Sequence, residues 1–200
     1  MEKEIAINTI LGAHDFFLQQ SAGYKSWGKV EVLQIAIRIE GNAYIINNEN
    51  SDFSNLNKDD FQSILFSENW IGSIFLKRKN INYILITKQE FATQIKEEIP
   101  PILDDQAQLL GVTIRVAKDN NGIVKAIKNR FAAVQQNGKS ICIGNTLEDA
   151  YVAAQLLEKT SKAFIEAKFL GGAKSINKIE AWVMQKFYQF KYSKEALKNK

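Results

Sequence analysis

Residues 31–46, Glu-Val-Leu-Gln-Ile-Ala-Ile-Arg-Ile-Glu-Gly-Asn-Ala-Tyr-Ile-Ile, decide the fold class. Leu33, Ile35, Ile37 and Ile39 alternate with Gln34, Ala36 and Arg38. A period of two in β-branched residues marks a half-buried strand over 32–39. Gly41-Asn42 is a two-residue hairpin turn, because both residues tolerate positive φ, and Ala43 to Ile46 returns as the partner strand. Asn137-Gly138 repeats the device between Phe131–Val134 and Ser140–Ile143. Two tight hairpins imply antiparallel pairing, which excludes a doubly wound parallel sheet.

Working outward, residues 3–20 carry an apolar stripe at helical spacing, and Ser21 to Gly28 is a loop. Asn47 to Asn55 is polar and reads as loop. Asn57-Lys58-Asp59-Asp60 opens a short helix, and Ser67 or Asn69 caps a second one running to Lys77. Residues 82–87 form a buried strand, Gln89 to Glu97 a short helix, and Pro100-Pro101 stops it. Further short helical pieces are expected over 102–110 and 121–130, with a strand over 112–117 between them. Thr146-Leu147-Glu148-Asp149 resembles a capping box at the head of a long helix that Gly171-Gly172 ends. A last helix spans 176–188, with Ile179, Trp182, Val183 and Phe187 as its apolar stripe. The elements predict an α/β sandwich with helices against a mainly antiparallel sheet, in a single domain over 1–200 with 171–200 as a helical tail.

The 200 residues include one cysteine, Cys142, and one histidine, His14, at a formal net charge of +4. One cysteine excludes an internal disulfide framework and a Cys-built zinc site. One histidine excludes a His-cluster metal site. The mild, interspersed charge fits ordinary solubility better than nucleic-acid binding. No apolar run is long enough for a membrane span, and Met-Glu-Lys-Glu does not open a signal peptide, so a cytoplasmic location is expected. Gly-rich phosphate loops and a Gly-x-Ser-x-Gly elbow are absent. Asp104-Asp105 reads as a surface helix start, and Trp27, Trp70 and Trp182 as core or interface anchors.

Three colinear stretches resemble the class II aldolase/adducin family. They are Ile99-Pro100-Pro101-Ile102-Leu103-Asp104-Asp105-Gln106-Ala107-Gln108-Leu109-Leu110-Gly111, the block Gly144 to Lys159, and Ala43 to Phe61. The resemblance covers about residues 5–170, and the tail is similar to rhamnulose- and fuculose-phosphate aldolases. It implies a class II aldolase-like three-layer sandwich. It also implies a zinc ion held by three histidines as Lewis acid, a proton-moving glutamate, and a phosphate site built from Gly-Asn-x-Ser, Thr-Gly and Ser-Ser segments.

Carried over residue by residue, the resemblance puts the zinc ligands on Ile86, Lys88 and Asn137. The glutamate falls on Glu68 or Asn69. The phosphate positions fall on Leu33-Gln34-Ile35-Ala36, Glu49-Asn50 and Phe66-Ser67. Neither isoleucine nor a lysine ammonium can bind zinc. His14 lies far in sequence from every ligand position. The expectation is therefore a fold without the family's metal: Glu68 and Lys88 as candidate catalytic residues, Gln34, Ser67 and Asn137 as candidate ligand-binding residues, and no cofactor. The implied function is a non-catalytic homologue that binds a small sugar-like ligand or a protein. The alternative is an aldolase- or epimerase-type lyase with metal-independent chemistry, in which Lys88 could form a Schiff base. The resemblance also implies a ring tetramer, so a homo-oligomer is expected, with no nucleic-acid or membrane partner.

Overall fold

A computed structural model describes residues 1–21 and 27–198, with side chains described over 1–20 and 27–191. The Ser21 to Gly28 loop therefore lies mostly outside the described residues. Helices α1 (Lys3–Leu11) and α2 (Ala13–Ser21) replace the single helix expected over 3–20. The chain breaks at Gly12, which caps α1 with its amide on the Asn8 carbonyl.

The strands are β1 (Val30–Ile39), β2 (Ala43–Asn47), β3 (Phe61–Leu65), β4 (Tyr83–Gln89), β5 (Arg115–Ala117), β6 (Ala132–Gln135) and β7 (Lys139–Gly144). They form one seven-stranded sheet in the order β3-β2-β1-β4-β7-β6-β5. Every pair is antiparallel except β5–β6. The β1–β2 turn has φ of 77° at Gly41 and 57° at Asn42, as a tight hairpin of this type demands.

Two layers cover the sheet. On one face, α1, α2 and α5 (Leu147–Phe169) pack on Ile35, Ile37, Ile45, Leu85 and Cys142 through Ile10, Phe17, Ala150, Ala154 and Leu157. On the other, α3 (Trp70–Lys77) and α4 (Asn120–Ala126) pack on Ala36, Tyr44, Ile84, Ile86 and Ile141 through Ile74, Phe75 and Ile123. Each such large buried side chain contributes roughly 1.5–3 kcal/mol by leaving water. The expected three-layer sandwich is the observed architecture.

Local chemistry fixes the helix ends. Thr146 and Asp149 form the capping box of α5. Asn69 caps α3 by accepting from Gly72 N, and the same oxygen accepts the Tyr44 hydroxyl at 2.8 Å. At the other end of α3, Arg38 donates to the Phe75 and Ile81 carbonyls and stacks on the Phe66 and Phe75 rings. Burial lowers the Arg38 pKa from its ordinary value.

Four expectations need correction. β3 follows the short Lys58–Asp60 turn directly and was not expected, because Phe61-Gln62-Ser63-Ile64-Leu65 is an edge strand whose alternation is only half apolar. β4 runs on to Gln89, so the helix expected over 89–97 shrinks to a 3-10 turn at Ala92–Gln94. The strand expected over 112–117 is only Arg115–Ala117, preceded by an Ile99–Ile114 bridge, and it pairs in parallel with β6. The last helix, α6, runs over Lys178–Lys198, past the expected end at 188.

Candidate functional site

Alternation carries the side chains of β4 to opposite faces: Leu85 joins the α5 side, and Ile84 and Ile86 the α3–α4 side. Lys88, two residues beyond Ile86, continues the second face and is exposed. Its cross-strand neighbours are Glu31 on β1 and Lys139 on β7. Gln34 sits one step up the same face, opposite Ile86, after a register shift between Val32 and Gln34. The Gln34 amide donates to the Asn47 carbonyl at 2.8 Å.

Three loops close this end of the sheet. The β6–β7 turn presents Asn137, whose Oδ1 accepts Lys139 N at 3.0 Å, and Gly138 takes φ of 86° there. The segment after β2 brings Glu49 into an ion pair with Lys139. Asn48 Oδ1 accepts the Gln62 amide from β3. The result is a polar row of the exposed Gln62, Lys88 and Asn137 and the half-buried Asn48, Gln34 and Lys139, flanked by the carboxylates of Glu31 and Glu49.

Of the sequence candidates, Gln34, Lys88 and Asn137 share this end of the sheet. Ser67 and Glu68 do not. They follow β3 at the Gly41-Asn42 end, where Phe66 N donates to the Asn42 carbonyl and Leu65 N to the Glu68 carboxylate. The Lys88 row and the Leu65 row are separated by the length of β1 from Glu31 to Ile39, roughly 25 Å at ~3.3 Å per residue. Glu68 and Lys88 therefore cannot act on one small substrate within a chain.

The positions at which the resemblance places zinc do not fit that ion. Ile86 is buried aliphatic surface, Lys88 is a cation, and Asn137 offers one amide oxygen already facing a backbone N–H. Among the described residues no cluster of three or more His, Cys, Asp or Glu side chains could hold a metal ion. His14 belongs to α2 on the opposite face, beside the Phe53 ring at 6.4 Å.

Two residues escaped sequence reasoning. Lys139 could have been found by counting back two residues from Ile141. Glu158 could have been noticed as a carboxylate inside the otherwise apolar face of the long helix. Glu158 is fully buried and accepts Phe91 N at 2.8 Å and Ala92 N at 3.0 Å, so it pins α5 to the turn that follows β4. Burial pushes its carboxyl up to about 7, against the pull of these N–H bonds. Asp105 of the Asp104-Asp105 pair is engaged by Lys159 and caps Gln106 N, which leaves it a structural role.

No protein-family model matches the sequence, and no curated protein sequence matches it. Solved structures do. An L-fuculose 1-phosphate aldolase superposes with a TM-score of 0.75 at 15% identity, covering 94% of this chain and 98% of that one. L-fuculose-1-phosphate aldolase from Thermus thermophilus gives 0.60 at 14% identity over 84% of this chain and 100% of that one. An aldolase II superfamily protein from Pseudomonas syringae gives 0.63 at 13% identity, over 94% of this chain and 86% of that one. By its sheet order, its two helical layers and these superpositions, the chain has the class II aldolase fold.

Proposed function

We propose that this chain is a class II aldolase-fold protein that binds a small, anionic, sugar-like ligand or a protein and does not cleave carbon–carbon bonds. The observation that carries the reading is the chemistry of the row on β4 and β7. Where zinc chemistry would need imidazoles there are Ile86, Lys88 and Asn137, and the acid at the phosphate-turn position, Glu49, is paired with Lys139. The exposed Lys88 ammonium, with the half-buried Lys139, Gln34 and Asn137 beside it, can attract a phosphate or carboxylate and hydrogen-bond hydroxyls. Within one chain Glu68 does not reach this row as an acid–base partner, because it lies at the far end of β1.

In this reading the protein is a cytoplasmic homo-oligomer of single-domain chains without a metal cofactor. No helix among the described residues is long and apolar enough to cross a membrane. The test is chemical-shift perturbation with L-fuculose 1-phosphate and simpler sugar phosphates. Shifts at Gln34, Lys88 and Asn137 that Lys88→Gln abolishes, with no aldehyde released, support it. Turnover of any of these compounds overturns it.

The second reading, a metal-independent lyase on a sugar or sugar phosphate, rests on the Lys88 amine at the centre of the row. A Schiff base there would be trapped by borohydride as a covalent adduct with the carbonyl substrate. Lys88→Gln would lose the adduct.

A further inference from the structure

The outer edge of β5 is only partly covered. Ile99 and Ile114 exchange both backbone hydrogen bonds, at 2.9 and 3.0 Å, and their pairing stops after one residue. Gln136 N donates to the Ala117 carbonyl, so Ala117 turns its backbone toward β6. Backbone groups alternate sides along a strand, so Val116, like Ile114, turns its N–H and C=O to the outer edge. Among the described residues no backbone group meets them there. Residues 96–98 diverge from β5 instead. The gap between that segment, β5 and α4 is an open cleft of about 570 Å³.

We propose that this cleft docks an extended, acidic segment of a partner protein, which adds to the sheet beside β5, antiparallel to it, as a continuation of the Ile99–Ile114 pair. One residue of a strand fills on the order of 160 Å³, from its rise, the strand spacing and the sheet spacing, so the cleft takes about three. Its charges select acidity. The carboxylates around it are engaged: Glu97 with Lys168, Glu98 with Arg115 at 3.5 Å, and Asp119 with Gly122 N at 2.6 Å. Lys96, Lys118 and Lys125 line the cleft, are exposed, and have no ion pair among the described residues. These ammonium groups attract carboxylates and repel a basic segment. A short strand flanked by cations also guards an edge against pairing. A guarded edge needs no cavity, whereas this one has room for main chain next to Val116.

The pairing fixes which groups of the occupant matter. Residues directly opposite one another across antiparallel strands share a face of the sheet. Arg115 and Ala117 face α4: Ala117 packs in the core there, and Arg115 donates to the Lys125 carbonyl at 3.4 Å. Val116 faces the α5 side. Occupant residues opposite Arg115 and Ala117 therefore carry the carboxylates, toward Arg115 and Lys125. The residue opposite Val116 makes the two backbone hydrogen bonds and is apolar. The inference goes beyond the ligand reading, since the row around Lys88 lies on β4 and β7 and contributes nothing to it.

Heteronuclear NMR of the full chain with the peptide acetyl-Val-Glu-Val-Glu-Val-Glu-Val-amide tests it. Saturable shifts are expected at the amides of residues 115–118 and of Lys125, and the same peptide with lysine in place of glutamate should cause none. Backbone N-methylation of the valines should abolish binding, and N-methylation of the glutamates should leave the dissociation constant within ~3-fold, because only one alternate set of amides faces Val116. Lys118→Glu combined with Lys125→Glu should weaken binding at least ~10-fold. Val116→Pro removes the outward N–H, leaves the β6 ladder intact, and should abolish binding with an unchanged circular dichroism spectrum. Lys88→Gln should bind the peptide as wild type does, so the fate of the ligand reading is read separately. Absence of saturable shifts up to about 2 mM peptide would overturn the proposal. So would any pattern with the methylated peptides other than loss at the valines alone. Shifts in the cleft caused by oligouridylate, or by self-association of the chain, and not by the peptide would assign the edge to that occupant and overturn it equally.

Discussion

Lys88 on β4 and Lys139 on β7 stand directly opposite one another across an antiparallel pair, with Glu31 on the far side of Lys88 and Glu49 ion-paired to Lys139. Like charges in direct register repel by a few tenths of a kcal/mol, and the opposed pair with Glu31 returns a similar amount. Lys88→Gln is therefore expected to change stability by less than about 0.5 kcal/mol in urea unfolding. That near-neutrality makes it a clean probe: a loss of ligand shifts in this variant reports the lost ammonium and not a damaged fold. Glu31→Gln removes the carboxylate opposite Lys88 and is expected to cost up to about 1 kcal/mol.

Glu158 makes stability depend on pH. Its carboxyl is raised from 4.5 to about 7, chiefly by burial. Between those values the folded chain holds more protons than the unfolded one, so this contribution is fully present below about pH 4.5 and falls away as pH rises through 7. The loss is at most about 3 kcal/mol. Asp52 and Asp60 act in the opposite sense. Their carboxyls are held low by hydrogen bonds with Ser54 and with Asn57 and Ser51, so their contribution disappears as pH falls through the acid range. Unfolding midpoints measured from pH 5 to 8 should decline in the wild type and flatten in Glu158→Gln. An equal decline in both would remove Glu158 from this role.

Gly28 cannot be replaced. It has φ of 129°, and a Cβ there would lie 2.4 Å from the Glu158 Oε1 atom. Both the backbone conformation and the close approach penalise a side chain, so Gly28→Ala is expected to cost roughly 2–4 kcal/mol. Differential scanning calorimetry reads this directly; a midpoint within a degree of wild type would contradict it.

The link between Tyr44 and Asn69 carries the start of α3. Asn69→Ala removes a cap and orphans the buried Tyr44 hydroxyl, with an expected cost of about 1–3 kcal/mol. The same change paired with Tyr44→Phe should cost less than the sum of the two single changes. Additive costs in chemical denaturation would show that the two side chains do not act as a unit.

Most of the sheet was legible because its strands announce themselves. The hairpin turns at Gly41-Asn42 and Asn137-Gly138 and the alternation in β1 depend on local sterics alone, and the Thr146–Asp149 capping box is a local signature. β3 was not legible. Ser63 and Leu65 point the way of the core yet stay exposed at the sheet edge, so the pattern that marks a strand is missing. The helix expected after Gln89 failed for a tertiary reason: Gln89 is buried and bonded to the Ala154 carbonyl, which draws β4 one residue pair further than its own sequence suggests. Of the site, Gln34, Lys88 and Asn137 were found through the resemblance. Their separation from Ser67 and Glu68 was not, because it depends on where β3 starts and ends. Glu158 was hidden because its partners are backbone amides 66 and 67 residues away.

Because Ile86, Lys88 and Asn137 stand where the resemblance puts zinc ligands, we propose that this chain binds no zinc there. Metal analysis of the purified chain after dialysis against micromolar zinc tests it most directly. Far less than one zinc per chain, unchanged by Asn137→Ala, is expected. About one tightly held zinc per chain, lost on Asn137→Ala, would contradict it.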